Sequence, residues 1–145
     1  MMADCKTILT PKQHKQARDT MNKAVLSQNA PKPIGPYSQA VQAGNFLFVS
    51  GQLAIDPKDD KLIVENVRLQ THLIMENIKA ILESAGYCLK DIVQVTVYLS
   101  SMTLFEEFNV EYAKFFDNGF PARSLVASEL KRGALLEVSV VAYKD

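Results

Sequence analysis

The sequence is poor in the residues that hold disulfide-rich or metal-bound proteins together. It has 145 residues, with two cysteines and no tryptophan. Cys5 and Cys88 stand far apart, as do His14 and His72, and none has metal-ligating neighbours at the usual spacing. No disulfide framework and no metal site is therefore indicated. These absences favour a reducing compartment and a protein that needs no metal.

Long apolar runs and an excess of one charge are also missing. No run approaches the roughly 18 apolar residues of a membrane span, and residues 1–6 lack the apolar core of a secretory signal. The 16 basic residues balance the 16 acidic ones, so neither a basic face for nucleic acid nor an acidic tail is indicated. We expect a soluble cytoplasmic protein whose partners are small molecules or other protein chains, with no membrane and no nucleic acid.

The length suits one domain, because a chain of this size buries roughly 68–70% of the surface it exposes when unfolded. Residues 1–26 differ from the rest, since 12–26 are polar with a sparse apolar stripe at helical spacing. We interpret 1–26 as an N-terminal extension, helical or mobile, and 27–145 as the domain. Residues 29–36 hold three of the six prolines and predict an ordered, turn-rich lead into it.

Hydrophobic patterning predicts the elements of this domain. Gly44-Asn45 between two apolar runs predicts a β-hairpin over 38–50, and residues 56–60 have the composition of a surface loop. A helical apolar face over 64–85 ends at Gly86, a typical helix-terminating glycine. Further on, the pattern predicts a strand over 92–99, a helix over 103–116, and strands over 124–130 and 135–143. The order β-β-α-β-α-β-β indicates an α+β fold with two helices layered on one mixed sheet.

Arg123 and Glu137 are charges embedded in apolar, extended segments. Burying either one unpaired costs several kcal/mol, so each needs a partner. The guanidinium of Arg123 could hold a carboxylate through two parallel hydrogen bonds. Glu137, among apolar neighbours, could take and return a proton and so activate water. An internal Arg–Glu pair satisfies the same pattern, and Glu137 could also point to solvent from an edge strand.

Four further positions could contribute to a site, although none is specific alone. Tyr37 follows a rigid turn that could aim its hydroxyl at a ligand, while a core-packed ring is the alternative. Ser50 and Gly51 end a predicted strand, where amides and a hydroxyl could hold an oxyanion or simply form a loop exit. Asn109 lies among aromatic residues, as a ligand contact or as a helix-surface amide. No phosphate-binding loop, nucleophilic serine motif or Cys–His pair is present.

Taken in order, these segments closely resemble the RidA (YjgF-like) family over residues 27–143. The matching stretches are IGPYSQ (34–39), VSGQ (49–52), FEEFNVEY (105–112), FPARS (120–124) and LEV (136–138). The resemblance implies a chorismate-mutase-like (ferredoxin-like) fold assembled as a homotrimer, with three clefts between neighbouring subunits. It also implies cofactor-independent hydrolysis of enamine and imine intermediates, such as 2-aminoacrylate and 2-iminopropanoate, to 2-keto acids and ammonia.

The same resemblance assigns roles to the candidate residues. Arg123 would bind the substrate carboxylate, and Glu137 would position and activate the attacking water. The cleft would be lined by Tyr37, Ser50, Gly51, Asn109 and the backbone at Leu125. Leu125 stands where many members have cysteine, Ser139 where many have an acidic residue and Ser101 where aspartate is common. The change at Leu125 argues against a role for a thiol.

Two other functions stay open at the level of sequence. The family is also associated with RNA cleavage and translation inhibition (endoribonuclease L-PSP-like proteins), but a net charge of zero makes phosphate-driven RNA binding weak. A non-enzymatic trimer that binds keto acids or acts as a chaperone would use the same clefts.

Overall fold

The computed structural model describes residues 22–131 and 133–145 as two helices packed on a mixed sheet. The strands are β1 (Asn22–Val25), β2 (Ala40–Ala43), β3 (Phe46–Gln52), β4 (Ile55–Asp56), β5 (Lys61–Leu62), β6 (Ile92–Leu99), β7 (Ala122–Ala127) and β8 (Leu136–Tyr143). The helices are α1 (Val67–Ser84) and α2 (Phe105–Ala113), and Leu89–Asp91 and Met102–Leu104 form 3-10 turns. This architecture confirms the predicted α+β fold.

Six strands form the sheet in the order β1-β2-β3-β8-β6-β7, while β4 and β5 pair separately. Neighbouring strands are antiparallel except β6 and β7, which run parallel. A parallel pair needs a crossover connection, and α2 provides it. The outer edges of β1 and β7 are left without a neighbouring strand in the described chain.

The sheet buries one face under the helices and leaves the other open. Along β8, Leu136, Val138 and Val140 are buried, whereas the alternate residues Glu137 and Ser139 are only half-buried. The period of two in side-chain direction explains this alternation. The open face also carries exposed aromatic side chains at one end, Phe46, Phe48 and Tyr143. Which face a strand residue occupies therefore decides what it can contact.

Helix α1 confirms the predicted helix with slightly shorter ends. The side chain of Asn66 accepts a hydrogen bond of 3.1 Å from the amide of Leu69 and so caps the first turn. Gly86 has φ +82°, the left-handed conformation that a glycine after a helix tolerates without strain. The apolar face, including Ile74, Ile78 and Ile81, is completely buried.

The predicted N-terminal helix is wrong for its last residues. Residues 22–25 form strand β1, in which Ala24 pairs with Val41 of β2. Pairing with an existing hairpin outweighs the weak helical pattern of this segment, because local propensity is a small term beside tertiary contacts. The predicted domain boundary after residue 26 thus lies shortly after β1, which is an edge strand of the domain's own six-stranded sheet. The rest of the predicted extension, residues 1–21, lies outside the described residues.

Other element limits differ more modestly. The predicted loop over 56–60 is the tip of the short β4–β5 hairpin, which the sequence pattern missed. The second helix is shorter than predicted because residues 102–104 form a 3-10 turn, with Ser101 accepting a 3.2 Å hydrogen bond from the amide of Thr103. Strand β7 begins two residues before and ends three residues before the predicted strand. Within the described chain, no helix has the length and apolar character needed to cross a bilayer.

Candidate functional site

One cavity contains four of the predicted site residues. It has a volume of about 280 Å³ and is lined by Tyr37, Ser50, Gly51 and Glu137. Pro31, Lys32, Ile34, Gln39, Gln52, Leu53 and Ile55 complete its wall. We call this space the Glu137 cavity. It combines one carboxylate, one ammonium group and two hydroxyls with an apolar lining.

A β-bulge brings Gly51 and Glu137 together. The pairing of β3 with β8 shifts between Val49 and Gln52, so that Ser50 and Gly51 oppose the single residue Ser139. An ideal Cβ on residue 51 would overlap the Glu137 Oε1 atom and lie 2.8 Å from its Cδ. A larger residue here would push the Glu137 side chain aside, so glycine is what lets the carboxylate rest against the backbone of β3.

The two hydroxyl-bearing residues are held by different means. The Ser50 amide donates to the Gln39 carbonyl at 2.9 Å, and its Oγ donates to the Ser38 carbonyl at 2.6 Å. The Tyr37 amide donates to the Gly35 carbonyl at 2.9 Å, which closes a tight turn. The Tyr37 ring is 48% exposed, so the core-packed alternative is wrong. Ser50 thus keeps only acceptor capacity for a ligand, and Tyr37 lines the cavity with its hydroxyl accepting a 3.4 Å hydrogen bond from the Ile34 amide.

Arg123 lines a second cavity of about 320 Å³ with Asn109, Tyr112, Ala113, Phe120 and Pro121. We call it the Arg123 cavity. The Arg123 Nη1 donates to the Asn109 Oδ1 at 2.9 Å, and the guanidinium carbon lies 5.0 Å from the centre of the Tyr112 ring. A hydrogen bond and a cation–π contact together fix the guanidinium while leaving its other N–H groups available. Asn109 therefore orients the cation rather than serving as a free helix-surface amide.

The two cavities lie on opposite sides of the sheet. Arg123 pairs with Val95 of β6, whose side chain is buried under the helices, and Glu137 pairs with Tyr98 on the open face. Strand β6 also separates β7 from β8, which places their axes roughly 10 Å apart. No ion pair joins Arg123 to Glu137 in the described structure. The internal Arg–Glu pair is thus wrong for a single chain, in which the two charges line separate cavities.

Leu125 is not brought into either cavity. It lies on β7 two residues beyond Arg123, pairs with Val97 and packs partly against the core. Its backbone lies on the edge strand of the sheet. Contact between this backbone and a ligand stays a prediction. In the described ranges, no group of three metal-ligating side chains is present.

Sequence reasoning missed two buried polar residues near the cavities. Gln39 is 1% exposed and lines the Glu137 cavity. Tyr112 is buried, and its hydroxyl has no hydrogen-bond partner among the described residues. Burial raises the pKa of Tyr112 to about 12, against the lowering effect of the Arg123 charge, so the phenol stays protonated. Neither role is visible in a sequence pattern, because a buried glutamine or phenol fits strands and helices alike.

A charged cluster fastens α2 to α1 behind the Arg123 cavity. Buried Glu111 accepts a hydrogen bond of 2.6 Å from Lys114 Nζ and lies 3.0 Å from His72 Nδ1. The hydrogen bond from Lys114 is the main cause that lowers the pKa of Glu111, and the one from His72 adds to it against the effect of burial. His72 lies on the solvent side of its helix. Since α2 also carries Asn109, this cluster supports the orientation of Arg123 indirectly.

Comparisons with known proteins bear on the fold and the family. The family model for Endoribonuclease L-PSP matches residues 27–144. A RutC family protein of Pyrococcus horikoshii is 49% identical over 126 residues, which are 86% of this chain and 100% of that protein. RidA from an Antarctic Psychrobacter is 35% identical with a TM-score of 0.81, covering 84% of this chain and 99% of that one. Escherichia coli TdcF with bound serine is also 35% identical with a TM-score of 0.81, covering 85% and 99% of the two chains.

Proposed function

The chain belongs to the endoribonuclease L-PSP family, with RutC family proteins and RidA among its relatives, and on this premise we propose that it is a cofactor-independent deaminase. Its substrates are 2-imino acids and their enamine tautomers, such as 2-iminopropanoate and 2-aminoacrylate. Water adds to the imine carbon, and the resulting carbinolamine loses ammonia to leave the 2-keto acid. The cytoplasmic location expected from the sequence stays a prediction.

The observation that carries this proposal is the guanidinium of Arg123, oriented toward a cavity without a carboxylate partner. Its hydrogen bond goes to the neutral amide of Asn109, so its charge is not neutralised by the described residues. A planar cation with free N–H groups matches the carboxylate that every 2-imino acid carries. Serine, which is bound to the relative TdcF, has the same carboxylate next to a nitrogen-bearing carbon.

Glu137 supplies the second group that the reaction needs. The carboxylate rests against Gly51, faces the cavity with Ser50 and Tyr37, and makes no ion pair in the part of the chain that is described. It would accept a proton from water as the oxygen attacks the imine carbon and return a proton to the leaving nitrogen. An imine is already electrophilic, so orientation and modest acid–base help are sufficient.

Because the two cavities lie on opposite sides of the sheet, a site that uses both Arg123 and Glu137 would form between chains. We propose a homotrimer in which the Arg123 cavity of one subunit faces the Glu137 cavity of the next. Such head-to-tail contacts close into a ring when the rotation fits, and the three sites are then equivalent. The unpaired edge of β7, next to Arg123, and the open face of the sheet, which carries Glu137, are both available for contact between subunits.

Replacing Arg123 tests the function directly. The imine is generated from L-alanine by an amino-acid oxidase, and release of pyruvate is followed with and without the protein. We expect wild type to accelerate hydrolysis and Arg123→Ala to lose this effect. Arg123→Lys keeps the positive charge but lacks the planar guanidinium that donates two parallel hydrogen bonds, so it should recover only part of the activity. An Arg123→Ala protein as active as wild type would overturn the assignment.

Ribonuclease activity is the second candidate, favoured by the description of the matching family. The net charge of zero gives little attraction for a polyanion. If RNA were the substrate, purified protein would cleave it with a strong dependence on salt, and Glu137→Ala would remove the cleavage. A keto-acid-binding protein without catalysis would instead bind pyruvate through Arg123 and leave the rate of imine hydrolysis unchanged.

A further inference from the structure

Gln39 is the most completely bonded polar side chain next to the Glu137 cavity. Its Oε1 accepts a hydrogen bond of 2.6 Å from the Ser27 amide. Its Nε2 donates to the Pro31 carbonyl at 2.7 Å and lies 3.2 and 3.3 Å from the carbonyls of Ser27 and Ala30. The Gln39 side chain is 1% exposed and lies within hydrogen-bonding distance of four backbone groups, so it is an integral part of the fold.

The segment that Gln39 holds has few backbone N–H groups that could donate hydrogen bonds. Residues 31–36 include Pro31, Pro33 and Pro36, which lack a backbone N–H. Such a segment does not join a sheet ladder, and its carbonyl groups need donors from elsewhere. The Gln39 side-chain amide supplies such a donor to the carbonyl of Pro31, the first residue of this segment.

Gln39 also touches the opposite side of the cavity through its backbone. Its carbonyl accepts the 2.9 Å hydrogen bond from the Ser50 amide, in the bulge that brings Gly51 against Glu137. The side chain of Gln39 therefore bonds one part of the lining, residues 31–37, which we call the proline-rich wall. Its backbone bonds the bulge at Ser50 and Gly51, which forms the floor of the cavity under the Glu137 carboxylate. One residue thus links two sides of the space in which the water and the imine must meet.

We propose that Gln39 is a positioning residue that fixes the separation between the proline-rich wall and the Gly51–Glu137 floor of the Glu137 cavity. This inference rests on the proposed function, but it concerns how tightly the substrate is held, not the chemical step. The wall carries Lys32, Ile34 and Tyr37, so its displacement alters the contacts around a bound imino acid without touching Arg123 or Glu137.

Two substitutions distinguish positioning from simple space filling. Gln39→Leu is of similar size but has no polar atoms. Gln39→Glu keeps the acceptor for the Ser27 amide, but when ionised it places a negative charge against the carbonyls of Ser27, Ala30 and Pro31. When protonated, it donates a hydrogen bond again and resembles glutamine. Lys32, Tyr37 and Glu137 are the other titratable groups of the cavity, and wild type has them too. The ratio of the KM of the variant to the KM of wild type at each pH therefore reports on the new carboxyl group alone.

The experiment measures kcat and KM for the imine formed from L-alanine in all three proteins. We expect Gln39→Leu to raise KM about tenfold at every pH, the effect of a lost buried hydrogen bond, with kcat nearly unchanged. Gln39→Glu should show the same rise at about pH 8 and return toward wild type at about pH 5, as the new carboxyl group is protonated. A fall in kcat at unchanged KM, or a Gln39→Glu defect that is equal at both pH values, would overturn the inference.

Hydrogen exchange separates this inference from the proposed function. If wild type does not hydrolyse the imine, the proposed function fails, and the inference is judged by amide protection in residues 27–37. Protection there should be lost in Gln39→Glu at about pH 8 and recovered at about pH 5. Equal protection in wild type and variant at both pH values would contradict the positioning role of Gln39, whatever the rate of imine hydrolysis. The same measurement decides the question if Gln39→Leu does not fold.

Discussion

Arg123 and Glu137 belong to one sheet but lie on its two opposite faces, with β6 between their strands. Arg123 is oriented by α2, through Asn109 and the Tyr112 ring. Glu137 is seated in the bulge of β3, against Gly51. Each charge is therefore positioned by its own set of neighbouring residues. Any site that uses both must take one of them from a second chain.

Gly51→Ala should slow the proposed imine hydrolysis by displacing Glu137. The added methyl group would overlap the carboxylate, and displacing a catalytic group by about 1 Å costs about 100-fold in rate. Steady-state kinetics on the imine would measure this loss. In a Glu137→Ala background the same methyl group has space, so in urea unfolding Gly51→Ala should lower the stability of that background less than it lowers the stability of wild type. Equal losses in the two backgrounds would show that Gly51 acts independently of Glu137.

Asn109→Ala should weaken substrate binding more than catalysis. Arg123 loses the 2.9 Å hydrogen bond that orients it but keeps its aromatic contacts and its charge. We expect KM to rise about tenfold, the worth of one charge-assisted hydrogen bond, with a smaller change in kcat. Asn118→Ala is the control, since that exposed amide lies outside both cavities. A KM that stays at the wild-type value would disprove the orienting role.

Tyr112→Phe should stabilise the fold, unlike most substitutions of a buried tyrosine. Its hydroxyl is buried without a partner among the described residues, so removing it relieves a desolvation penalty of about 1 kcal/mol. Tyr87→Phe is the matched control, because the buried Tyr87 hydroxyl donates to the Asn45 carbonyl at 3.0 Å. Urea unfolding should show a gain for Tyr112→Phe and a loss of about 1 kcal/mol for Tyr87→Phe. A loss in both proteins would refute the prediction.

The fold was largely predictable because its elements carry strong local signals. The strand over residues 92–99 has the limits that alternation predicts, and the helix ending before Gly86 follows from one apolar stripe and one glycine. Strand β1 and the β4–β5 hairpin were not predictable in this way. Their short segments take their conformation from pairing with distant or adjacent strands, and a local pattern does not record that partner.

The site was only partly predictable. The residue types at Arg123 and Glu137 indicated an anion-binding cation and a tunable carboxylate, but their positions on opposite faces follow from the strand order, in which β8 and β7 flank β6. Gln39 and the bulge at Ser50 and Gly51 depend on register shifts and on contacts across 8 to 12 residues, which one sequence does not encode locally. Resemblance to a family supplied the roles that spacing alone left open.

Acid should weaken the attachment of α2 through Glu111. The folded-state pKa of Glu111 is lowered, mainly by the hydrogen bond from Lys114, so its stabilising effect is complete above its ordinary pKa of 4.5. The effect is then lost as the pH falls through the lowered folded-state pKa. The difference in unfolding free energy between wild type and Glu111→Gln, followed from about pH 7 to about pH 3, should shrink accordingly.

Glu107→Gln serves as the control for this titration, since Glu107 lies on α2 like Glu111 but forms an exposed pair at 3.5 Å with Arg68 of α1. Exposed pairs contribute little to stability, so its difference from wild type should be small throughout. A difference for Glu111→Gln that stayed constant, or grew, toward low pH would contradict the role given to the cluster.

Mixing two inactive variants tests the shared site most directly. Arg123→Ala and Glu137→Ala are each expected to lose imine hydrolysis, and they are unfolded together in equal amounts, refolded and assayed. If each site takes Arg123 from one chain and Glu137 from its neighbour, about a quarter of all sites in the refolded mixture contain both residues, and about a quarter of the wild-type activity should return. If both residues act within one chain, no site in the mixture is complete, and activity that stays at the level of the separate variants would contradict the account.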